Sequence, residues 1–203
     1  MTLADTIALA LANLGLRETL RGQAIRDPLT GLFNRRYLEE TLKRELARVR
    51  RLGGSLGVIR LDLDHFKQFN DTQGHGAGDA LLSALGDLLQ TETRPEDIVS
   101  RYGGEEFLVV LPGASLEVSQ ERAENLRQAV KRLRIHYMDQ VLSSTTISLG
   151  VASFPEHGGD GDMVIRAADQ ALYRAKQEGR DLVVVAAQVN DLRSGAVRQL
   201  QKA

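Results

Sequence analysis

The chain has 203 residues, of which 42% are hydrophobic and 26% charged, a composition typical of one folded domain of ordinary size. Its 26 Lys and Arg against 27 Asp and Glu leave a net charge of -1, without the basic excess expected of a nucleic-acid binder. Since it has no cysteine, no basic signal segment and no apolar run near the roughly 20 residues of a membrane helix, we expect a cytoplasmic protein without disulfides, thiolate metal sites or membrane contact.

The first part of the chain is predicted to be helical and to lead into one strand. Apolar residues at alternating spacings of three and four predict a helix over roughly 3–24, with a coiled-coil-like seam suited either to capping a domain or to forming a dimer. Asp27–Pro28 breaks this helix, and a second one follows around 34–52, ended by Gly53–Gly54. The strand predicted over 56–64 ends with apolar residues on one face and Arg and Asp residues on the other.

The rest of the chain alternates between helices and strands. A helix around 76–91 is followed by a hairpin, in which Gly103 and Gly104 are expected to supply the positive φ angles of a tight two-residue turn. The remaining predicted elements are helices over 115–134 and 161–178 and strands over 143–153 and 181–187. This order predicts an α+β fold, in which helices pack on an antiparallel or mixed central sheet.

Two acidic residues, Asp62 and Asp64, end the strand predicted over 56–64. The two-residue period of a strand places both carboxylates on one side, where their mutual repulsion and desolvation make ionisation costly. A divalent cation would relieve this cost, and oxygen ligands without His or Cys suit Mg²⁺ or Mn²⁺. The structural alternative is that both residues cap the segment that follows the strand.

Glu105 and Glu106 follow the predicted glycine turn directly. Acidic residues at the tip of a hairpin are most often simply exposed to solvent. A glycine turn, however, also lets a bulky phosphate approach the backbone closely. Two acidic strand ends on adjacent strands would bring three or four carboxylates around one point, which is the arrangement of two-metal phosphoryl or nucleotidyl transfer.

Five blocks of the sequence resemble, in order, the GGDEF family of diguanylate cyclases. The block RYGGEEF at 101–107 resembles the family signature in its GGEEF variant. The other blocks are DPLTGLFNRRYLEE at 27–40, DLDHFKQFNDTQGHGAGD at 62–79, ISLGVA at 147–152 and ADQALYRAKQEGRD at 168–181. Five blocks in register make the resemblance far more specific than the signature alone.

The resemblance covers about 27–186 and implies a chain of three parts. Residues 1–26 would be a lead-in signalling helix, 27–186 the cyclase domain and 187–203 a C-terminal tail. The lead-in also resembles the last helix of a GAF-type sensor. It therefore implies an upstream sensor domain that the chain itself lacks.

The implied fold is the ferredoxin-like nucleotidyl cyclase fold, and the implied enzyme condenses two GTP into cyclic di-GMP and two pyrophosphates. Each domain of a homodimer would bind one GTP, whose 3′-hydroxyl attacks the α-phosphate of the other, with two Mg²⁺ or Mn²⁺ ions in each active site. Two alternatives stay open, namely a catalytically inactive cyclic di-GMP receptor and a module that only dimerises and transmits a signal. The intact GGEEF signature disfavours the receptor, and the full set of matching site residues disfavours the module.

The resemblance also implies which residues carry the chemistry. Asp62 and Glu105 would be side-chain metal ligands, and the carbonyl of Leu63 would complete the metal site. Glu105 would also be the base for the attacking hydroxyl, with Glu106 as a second candidate participant. Lys67 would offset the charge that develops on the phosphates.

Asn70 and Asp79 match the positions at which the family reads guanine. The N1–H and N2–H₂ groups of guanine are donors that suit the Asp79 carboxylate, and an amide such as that of Asn70 can both donate and accept. Adenine lacks this pair of donors, so ATP should be rejected because a buried carboxylate would stay unpaired. The residues implied to contact the phosphates are Phe66 and Lys67 through their amides, together with Gly103, Gly104, Lys176 and Arg180.

An RxxD motif, formed by Arg94 and Asp97, precedes the GGEEF signature. In this family, an RxxD motif at that distance marks an inhibitory site that binds the product, cyclic di-GMP. The family often adds a second arginine from a neighbouring helix, for which Arg122 and Arg127 are both candidates.

Overall fold

The computed structural model describes Ile7 and residues 25–138, 140–142 and 145–187. The predicted lead-in helix over roughly 3–24 and the tail beyond 187 therefore lie outside the described residues, apart from Ile7. The elements are β1 (Phe33–Asn34), α1 (Arg35–Leu52), β2 (Leu56–Leu63), α2 (Phe66–Gln73), α3 (His75–Thr91), β3 (Ile98–Gly103), β4 (Glu106–Pro112), α4 (Leu116–Arg132), β5 (His136–Tyr137), β6 (Gln140–Val141), β7 (Ile147–Phe154), α5 (Gly161–Gln177) and β8 (Val183–Val185).

The main sheet of the described chain has the strand order β1-β3-β4-β2-β7-β8. Its central strand, β2, is antiparallel to both β4 and β7. The edge strands β1 and β8 instead pair in parallel with β3 and β7. The prediction of an α+β fold with a mixed sheet is therefore confirmed.

Helices cover both faces of this sheet. Ile59, Leu61 and Leu63 of β2 belong to the core that contains α3 and α4. Leu56 and Val58 of the same strand belong to a second core that contains α1 and α5. Every residue of β2 is buried, so the polar face predicted for this strand lies beneath helices instead of facing solvent.

Helix α1 begins and ends as its sequence predicts. The side chain of Asn34 accepts a hydrogen bond from the Tyr37 amide at 3.0 Å, which caps the N-terminus. Gly53 ends the helix with a left-handed φ of 68°, a conformation that glycine adopts without strain.

Four short elements were not predicted, namely β1, α2 and the two strands of the β5–β6 hairpin. The residue that precedes α2 is His65, with a φ of 58° and no side-chain cap. The alternative that Asp62 and Asp64 cap this segment is therefore wrong. None of the described helices is both long enough and apolar enough to cross a bilayer.

Helix α5 lies directly against the backbone of β7 at Gly150. A Cβ atom on Gly150 would lie 2.1 Å from the Ala168 carbonyl oxygen and 2.3 Å from the Leu172 nitrogen. Only glycine fits so close an approach, because both neighbouring atoms belong to the helix backbone. This contact sets the height of α5 above the sheet.

Gly150→Ala should therefore push α5 away from β7. We expect it to lower the free energy of unfolding by about 3 kcal/mol, the upper end of ordinary overpacking, because a helix backbone must move. Urea denaturation measures this loss. Gly159→Ala is the matched control, since a Cβ there meets nothing within 4 Å. Equal stability of the two variants would contradict the close-contact argument.

Candidate active site

The ends of β2 and β4 bring the predicted metal and base residues together. Asp62 is the cross-strand neighbour of Glu106. The amide of Leu63 lies 3.4 Å from the carbonyl oxygen of Glu105. Four residues from two separate sequence blocks therefore meet where the two middle strands of the sheet, β2 and β4, adjoin the signature turn.

The signature turn does not have the backbone conformation that was predicted for it. Gly104 and Glu105 form the turn, Gly103 pairs with Glu106, and the β3–β4 register shifts between Arg101 and Gly103. Neither glycine has a left-handed φ, so the expectation of positive φ angles is wrong. The register shift makes the bend instead, as an irregular pairing does in a β-bulge.

The two glycines differ in what surrounds them. A Cβ on Gly103 would lie 3.4 Å from Oε2 of Glu106, whereas a Cβ on Gly104 would meet nothing within 4 Å. The space beside Gly104 is therefore open to an approaching ligand.

Arg101 supports the signature turn by hydrogen bonds to its backbone, a role that sequence reasoning missed. Its Nε and Nη2 donate to the Gly104 carbonyl at 2.9 and 2.8 Å, and its Nη1 lies 3.2 Å from a carboxylate oxygen of Asp27. That oxygen also accepts from the amide and hydroxyl of Thr30 at 2.9 and 2.8 Å. Although burial acts to raise the pKa of Asp27, the Thr30 hydrogen bonds and the Arg101 charge lower it overall. The sequence could have indicated this role, because Asp27 and Arg101 are each the first residue of a block that resembles the family.

Asp62 forms a buried ion pair with a cation from α5. Its side chain is 6% exposed, and Nζ of Lys176 lies 2.7 Å from its Oδ1. Burial raises the pKa of Asp62, Lys176 opposes this, and the charges of Glu106 and Asp64 add to it. The ammonium group therefore lies where the prediction places a metal ion.

Glu105 is half-buried, and its carboxylate has no hydrogen bond or ion pair within the described residues. Burial and the nearby charge of Asp62 both raise the pKa of Glu105, while Lys176 lowers it in part. A carboxylate in this state gains from a proton or from a metal ion.

The donor set fits a hard divalent ion in chemistry, although it is sparse. Among the described residues, no three acidic or His side chains group closely enough to hold a metal ion by themselves, so the expectation of three or four carboxylates around one point is wrong. The predicted set uses two carboxylates, from Asp62 and Glu105, and the Leu63 carbonyl, so every donor is an oxygen as Mg²⁺ or Mn²⁺ prefers. The ammonium of Lys176 already shows that a cation is stable beside Asp62.

Asp64 serves the fold instead of pairing with Asp62. Its carboxylate accepts hydrogen bonds from the hydroxyls of Thr146 and Ser148, both at 2.7 Å. It also accepts from the amide of Asp181 at 3.0 Å, in the loop that follows α5. Three donors satisfy this buried carboxylate without any metal ion.

The two predicted guanine-reading residues lie on neighbouring helices in close contact. Oδ1 of Asn70, on α2, is buried and makes no hydrogen bond with any described residue. A Cβ on Gly78 of α3 would lie 1.8 Å from that oxygen, so only glycine admits Asn70 there. Asp79 is the next residue after Gly78 and is exposed, so the expectation of a buried carboxylate at this position is wrong. An unpartnered buried acceptor is an observation that points to a ligand with N–H donors.

The predicted phosphate contacts come from three segments at this end of the sheet. Phe66 and Lys67 open α2, where Phe66 is buried and Lys67 is exposed. Lys176 lies in the last turn of α5. Arg180 lies beyond the helix end, exposed and with a left-handed φ of 62°.

The RxxD motif forms a compact turn with one buried carboxylate. Oδ2 of Asp97 accepts from the amide of Arg94 at 2.7 Å and lies 2.8 Å from Nη2 of Arg122. Arg127 pairs elsewhere, with Glu124 and Asp181. Of the two candidate arginines, Arg122 is therefore the one that contacts the motif.

A cavity of about 240 Å³ adjoins this turn. Arg94, Pro95 and Asp97 line it, together with Arg26 and Phe33. The guanidinium carbon of Arg26 lies 4.6 Å from the centre of the Phe33 ring. Sequence reasoning did not single out Arg26.

Comparisons with known proteins agree with the resemblance. The family model described as "Diguanylate cyclase, GGDEF domain" matches residues 24–182. The diguanylate cyclase DgcP of Pseudomonas aeruginosa is 46% identical over 169 residues, which are 83% of this chain and 25% of DgcP. The diguanylate cyclase DosC of Escherichia coli K12 is 39% identical over 166 residues, which are 82% of this chain and 36% of DosC. The chain thus spans only a quarter to about a third of these relatives.

Solved structures match over more of the chain. The coiled coil and GGDEF domain of DgcB from Caulobacter crescentus, in complex with c-di-GMP, matches with a TM-score of 0.84 and 32% identity, over 91% of this chain and 97% of that one. The diguanylate cyclase SiaD from Pseudomonas aeruginosa, in complex with its activator SiaC, matches with a TM-score of 0.77 and 39% identity. The match covers 91% of this chain and 69% of the SiaD chain.

Asp27→Asn should weaken the fold beneath the signature turn. The neutral amide loses the charge-assisted bonds to Arg101, and we expect the free energy of unfolding at pH 7 to fall by about 1–2 kcal/mol. Because the folded state lowers the pKa of Asp27 below its ordinary 3.8, its contribution is fully present above that value and is lost as the pH falls through the lowered pKa. Urea denaturation should therefore show a difference from the parent that is constant above about pH 5 and shrinks below about pH 4.

The control for Asp27→Asn is Glu40→Gln. The pair of Glu40 with Arg36 is exposed, at 64% and 85%, so its loss should change stability little at any pH. A stability difference for Asp27→Asn that stays undiminished at pH 3 would contradict the assignment.

Proposed function

Because the chain belongs to the GGDEF family, we propose that it is a diguanylate cyclase, which condenses two GTP into cyclic di-GMP and two pyrophosphates. The observation that carries this proposal is the state of Glu105. It is the carboxylate of the signature turn that lacks a hydrogen-bond or ion-pair partner within the described residues, and burial together with Asp62 raises its pKa. A carboxylate with a raised pKa at an open turn is suited to accept a proton.

The reaction needs the 3′-hydroxyl of one GTP to lose a proton as it attacks the α-phosphate of the other. We assign the base to Glu105, with Glu106 as a second participant. Asp62, Glu105 and the Leu63 carbonyl would hold Mg²⁺ or Mn²⁺, which when bound activates the attacking oxygen and offsets the charge of the phosphates. The number of ions in each site, two, remains part of the proposal.

Asn70 and Asp79 would recognise guanine. The unpartnered Oδ1 of Asn70 supports this assignment, since a base that supplies N–H donors would satisfy it. Adenine lacks such a pair of donors, so ATP would satisfy the buried Oδ1 of Asn70 less well than GTP does.

The triphosphate would lie between the start of α2 and the end of α5. Lys67 and the amides of Phe66 and Lys67 approach it from one side, and Lys176 and Arg180 from the other. Gly103 and Gly104 would admit it to the backbone of the turn. Since Lys176 pairs with Asp62 in this structure, it would turn from that carboxylate to the phosphates when a metal ion takes its place.

Each domain provides one nucleotide site in this scheme, so turnover would need a homodimer. The lead-in over 1–26 is the proposed dimer helix. The DgcB structure, which comprises a coiled coil and a GGDEF domain and matches 91% of this chain, supports that role. The division into 1–26, 27–186 and 187–203, and control by a sensor domain, belong to the same proposal.

Arg94 and Asp97 would bind cyclic di-GMP as an inhibitor, with Arg122 as the second arginine. The contact of Arg122 with Asp97 at 2.8 Å supports this choice over Arg127. The DgcB structure contains c-di-GMP, which shows that a related domain binds it.

Incubation of the chain with GTP and Mg²⁺ or Mn²⁺ tests the activity. We expect cyclic di-GMP and pyrophosphate in a ratio of one to two, measured by chromatography and a coupled pyrophosphate assay. Glu105→Gln should lower kcat by about 10³-fold, since it removes the base and one charge of the metal site. Glu121→Gln, an exposed residue on α4, is the control and should leave kcat unchanged.

A folded protein that forms no cyclic di-GMP over hours at high concentration would refute the cyclase assignment. Tight binding of cyclic di-GMP without turnover would then identify a receptor. Neither binding nor turnover, in a protein that dimerises, would identify a signalling module.

Product inhibition is tested with three arginine variants. Arg94→Ala and Arg122→Ala should each raise the inhibition constant for cyclic di-GMP by about tenfold or more, because each removes a charge-assisted contact, while initial rates stay unchanged. Arg127→Ala is the control, since its guanidinium pairs with Glu124 and Asp181. If Arg127→Ala relieves inhibition and Arg122→Ala does not, the second arginine has been assigned wrongly.

A further inference from the structure

A buried arginine in the central strand links two parts of the site. Arg60 lies in the middle of β2, two residues before Asp62, and its side chain is 7% exposed. Burial of a cation is costly unless carboxylates or an aromatic face compensate it. Such a residue in a sheet centre therefore calls for an explanation.

The Arg60 guanidinium lies between two carboxylates from different elements. Its Nη2 lies 3.0 Å from Oε2 of Glu106, the first residue of β4. Its Nε lies 3.1 Å from Oδ1 of Asp169, in α5. Glu106 directly follows Glu105, and Asp169 lies two helical turns before Lys176.

An aromatic ring fixes the plane of the same guanidinium. The central carbon of Arg60 lies 4.0 Å from the centre of the Tyr102 ring. The Tyr102 hydroxyl donates to Glu39 of α1 at 3.1 Å, and the guanidinium carbon of Arg35 lies 4.4 Å from the centre of the same ring. This cation–π contact leaves Arg60 little freedom to turn.

We propose that Arg60 is a positioning residue, which fixes the signature turn and α5 relative to β2 and so sets the spacing between Glu105 and Lys176. The proposal rests on the proposed cyclase function for the meaning of that spacing. The mechanism is geometric, because the planar guanidinium donates a hydrogen bond from Nη2 to Glu106 and at the same time places Nε in ion-pair contact with Asp169, without a hydrogen bond to it. A lysine, with one ammonium, retains the charge but not the fork.

The Glu106 contact also supports the turn itself. Its Oε2, held by Arg60, lies 3.4 Å from the place of a Cβ on Gly103. Arg101 holds the carbonyl of Gly104, and Arg60 holds the carboxylate that packs under Gly103. Two arginines therefore support adjacent glycines of one turn.

Charge gives a second reason for the arginine. The GTP triphosphate is anionic, and so are Glu106, which adjoins the signature turn, and Asp169, which lies on the helix that carries Lys176. Without Arg60, both carboxylates would repel the phosphates and lose their fixed positions. Loss of Arg60 should therefore weaken nucleotide binding as well as catalysis.

Arg60→Met tests the proposal, because it preserves length and apolar volume and removes the fork. We expect kcat/KM for GTP to fall about 10²-fold, as expected for residues that orient a catalytic group, and Arg60→Lys to recover part of that loss. Affinity for 3′-deoxy-GTP with Mg²⁺, measured by calorimetry, should fall about tenfold in Arg60→Met. That nucleotide lacks the attacking hydroxyl, so this second measurement does not depend on turnover.

A double-mutant cycle separates positioning from general stability. Asp169→Asn removes one of the two carboxylates, so Arg60→Met should cost less in that background than in the parent. Arg174→Met is the matched control, since Arg174 is a half-buried arginine of α5 that donates to the Val185 carbonyl at 2.7 Å. It should lower Tm as Arg60→Met does but leave kcat, KM and nucleotide affinity unchanged.

The outcomes are distinct. Unchanged kcat/KM and unchanged 3′-deoxy-GTP affinity in folded Arg60→Met would overturn the proposal, as would full additivity in the double-mutant cycle. If Arg60→Met does not fold, kcat/KM and 3′-deoxy-GTP affinity are measured in Arg60→Lys and Asp169→Asn instead, and both values should again fall. If the parent makes no cyclic di-GMP but its 3′-deoxy-GTP affinity still depends on Arg60, the cyclase function fails and the positioning role stands.

Discussion

The structure around the candidate site depends on how the negative charge of its carboxylates is balanced when folding removes them, wholly or in part, from solvent. A carboxylate removed from solvent is stable only beside a cation or under several hydrogen-bond donors. Asp62 of β2 takes Lys176 of α5 as its partner, and Arg60 of β2, the buried member of its pairs, takes Asp169 of α5, so charge as well as apolar packing connects the central strand to this helix. Two further pairs, Glu106 with Arg60 and Asp27 with Arg101, connect strands and a loop of the same end of the sheet.

Helix α5 is the element that these constraints position most tightly. Gly150 brings its backbone against β7, Arg60 holds Asp169 in its middle, and Lys176 in its last turn pairs with Asp62. Beyond its end, Asp64 accepts from the amide of Asp181 and holds the loop that carries Arg180. Because these contacts differ in kind, they fix the backbone of α5 and of the loop beyond it, while the Lys176 side chain itself would still have to leave Asp62 to reach a phosphate. Such preorganisation reduces the cost of ordering charged side chains around a substrate.

The sequence predicted those features that local patterns determine. Helices and strands long enough to show a period were predicted within a few residues, and the mixed sheet followed from their order. The two-residue strands show no period and were missed, as was the short helix α2. At the site, the end of β2 and the start of β4 were predictable because acidic residues adjoin an apolar run in each strand. The pairing of Lys176 with Asp62, and that of Asp64 with an amide 117 positions away, depend on tertiary packing that no local pattern reports.

The different environments of Glu105 and Glu106 follow from one step along the chain. Glu106 opens β4 opposite Asp62, on the side of the sheet where Arg60 takes its carboxylate. Glu105 remains in the turn, beyond the ladder, and no cation of the described chain pairs with it. Two residues with the same side chain therefore differ in charge compensation because the two-residue period of the strand orients only one of them toward the buried arginine. A turn one residue longer or shorter would exchange or abolish these environments, and the two residues that flank Glu105 are each held by an arginine, Gly104 by Arg101 and Glu106 by Arg60.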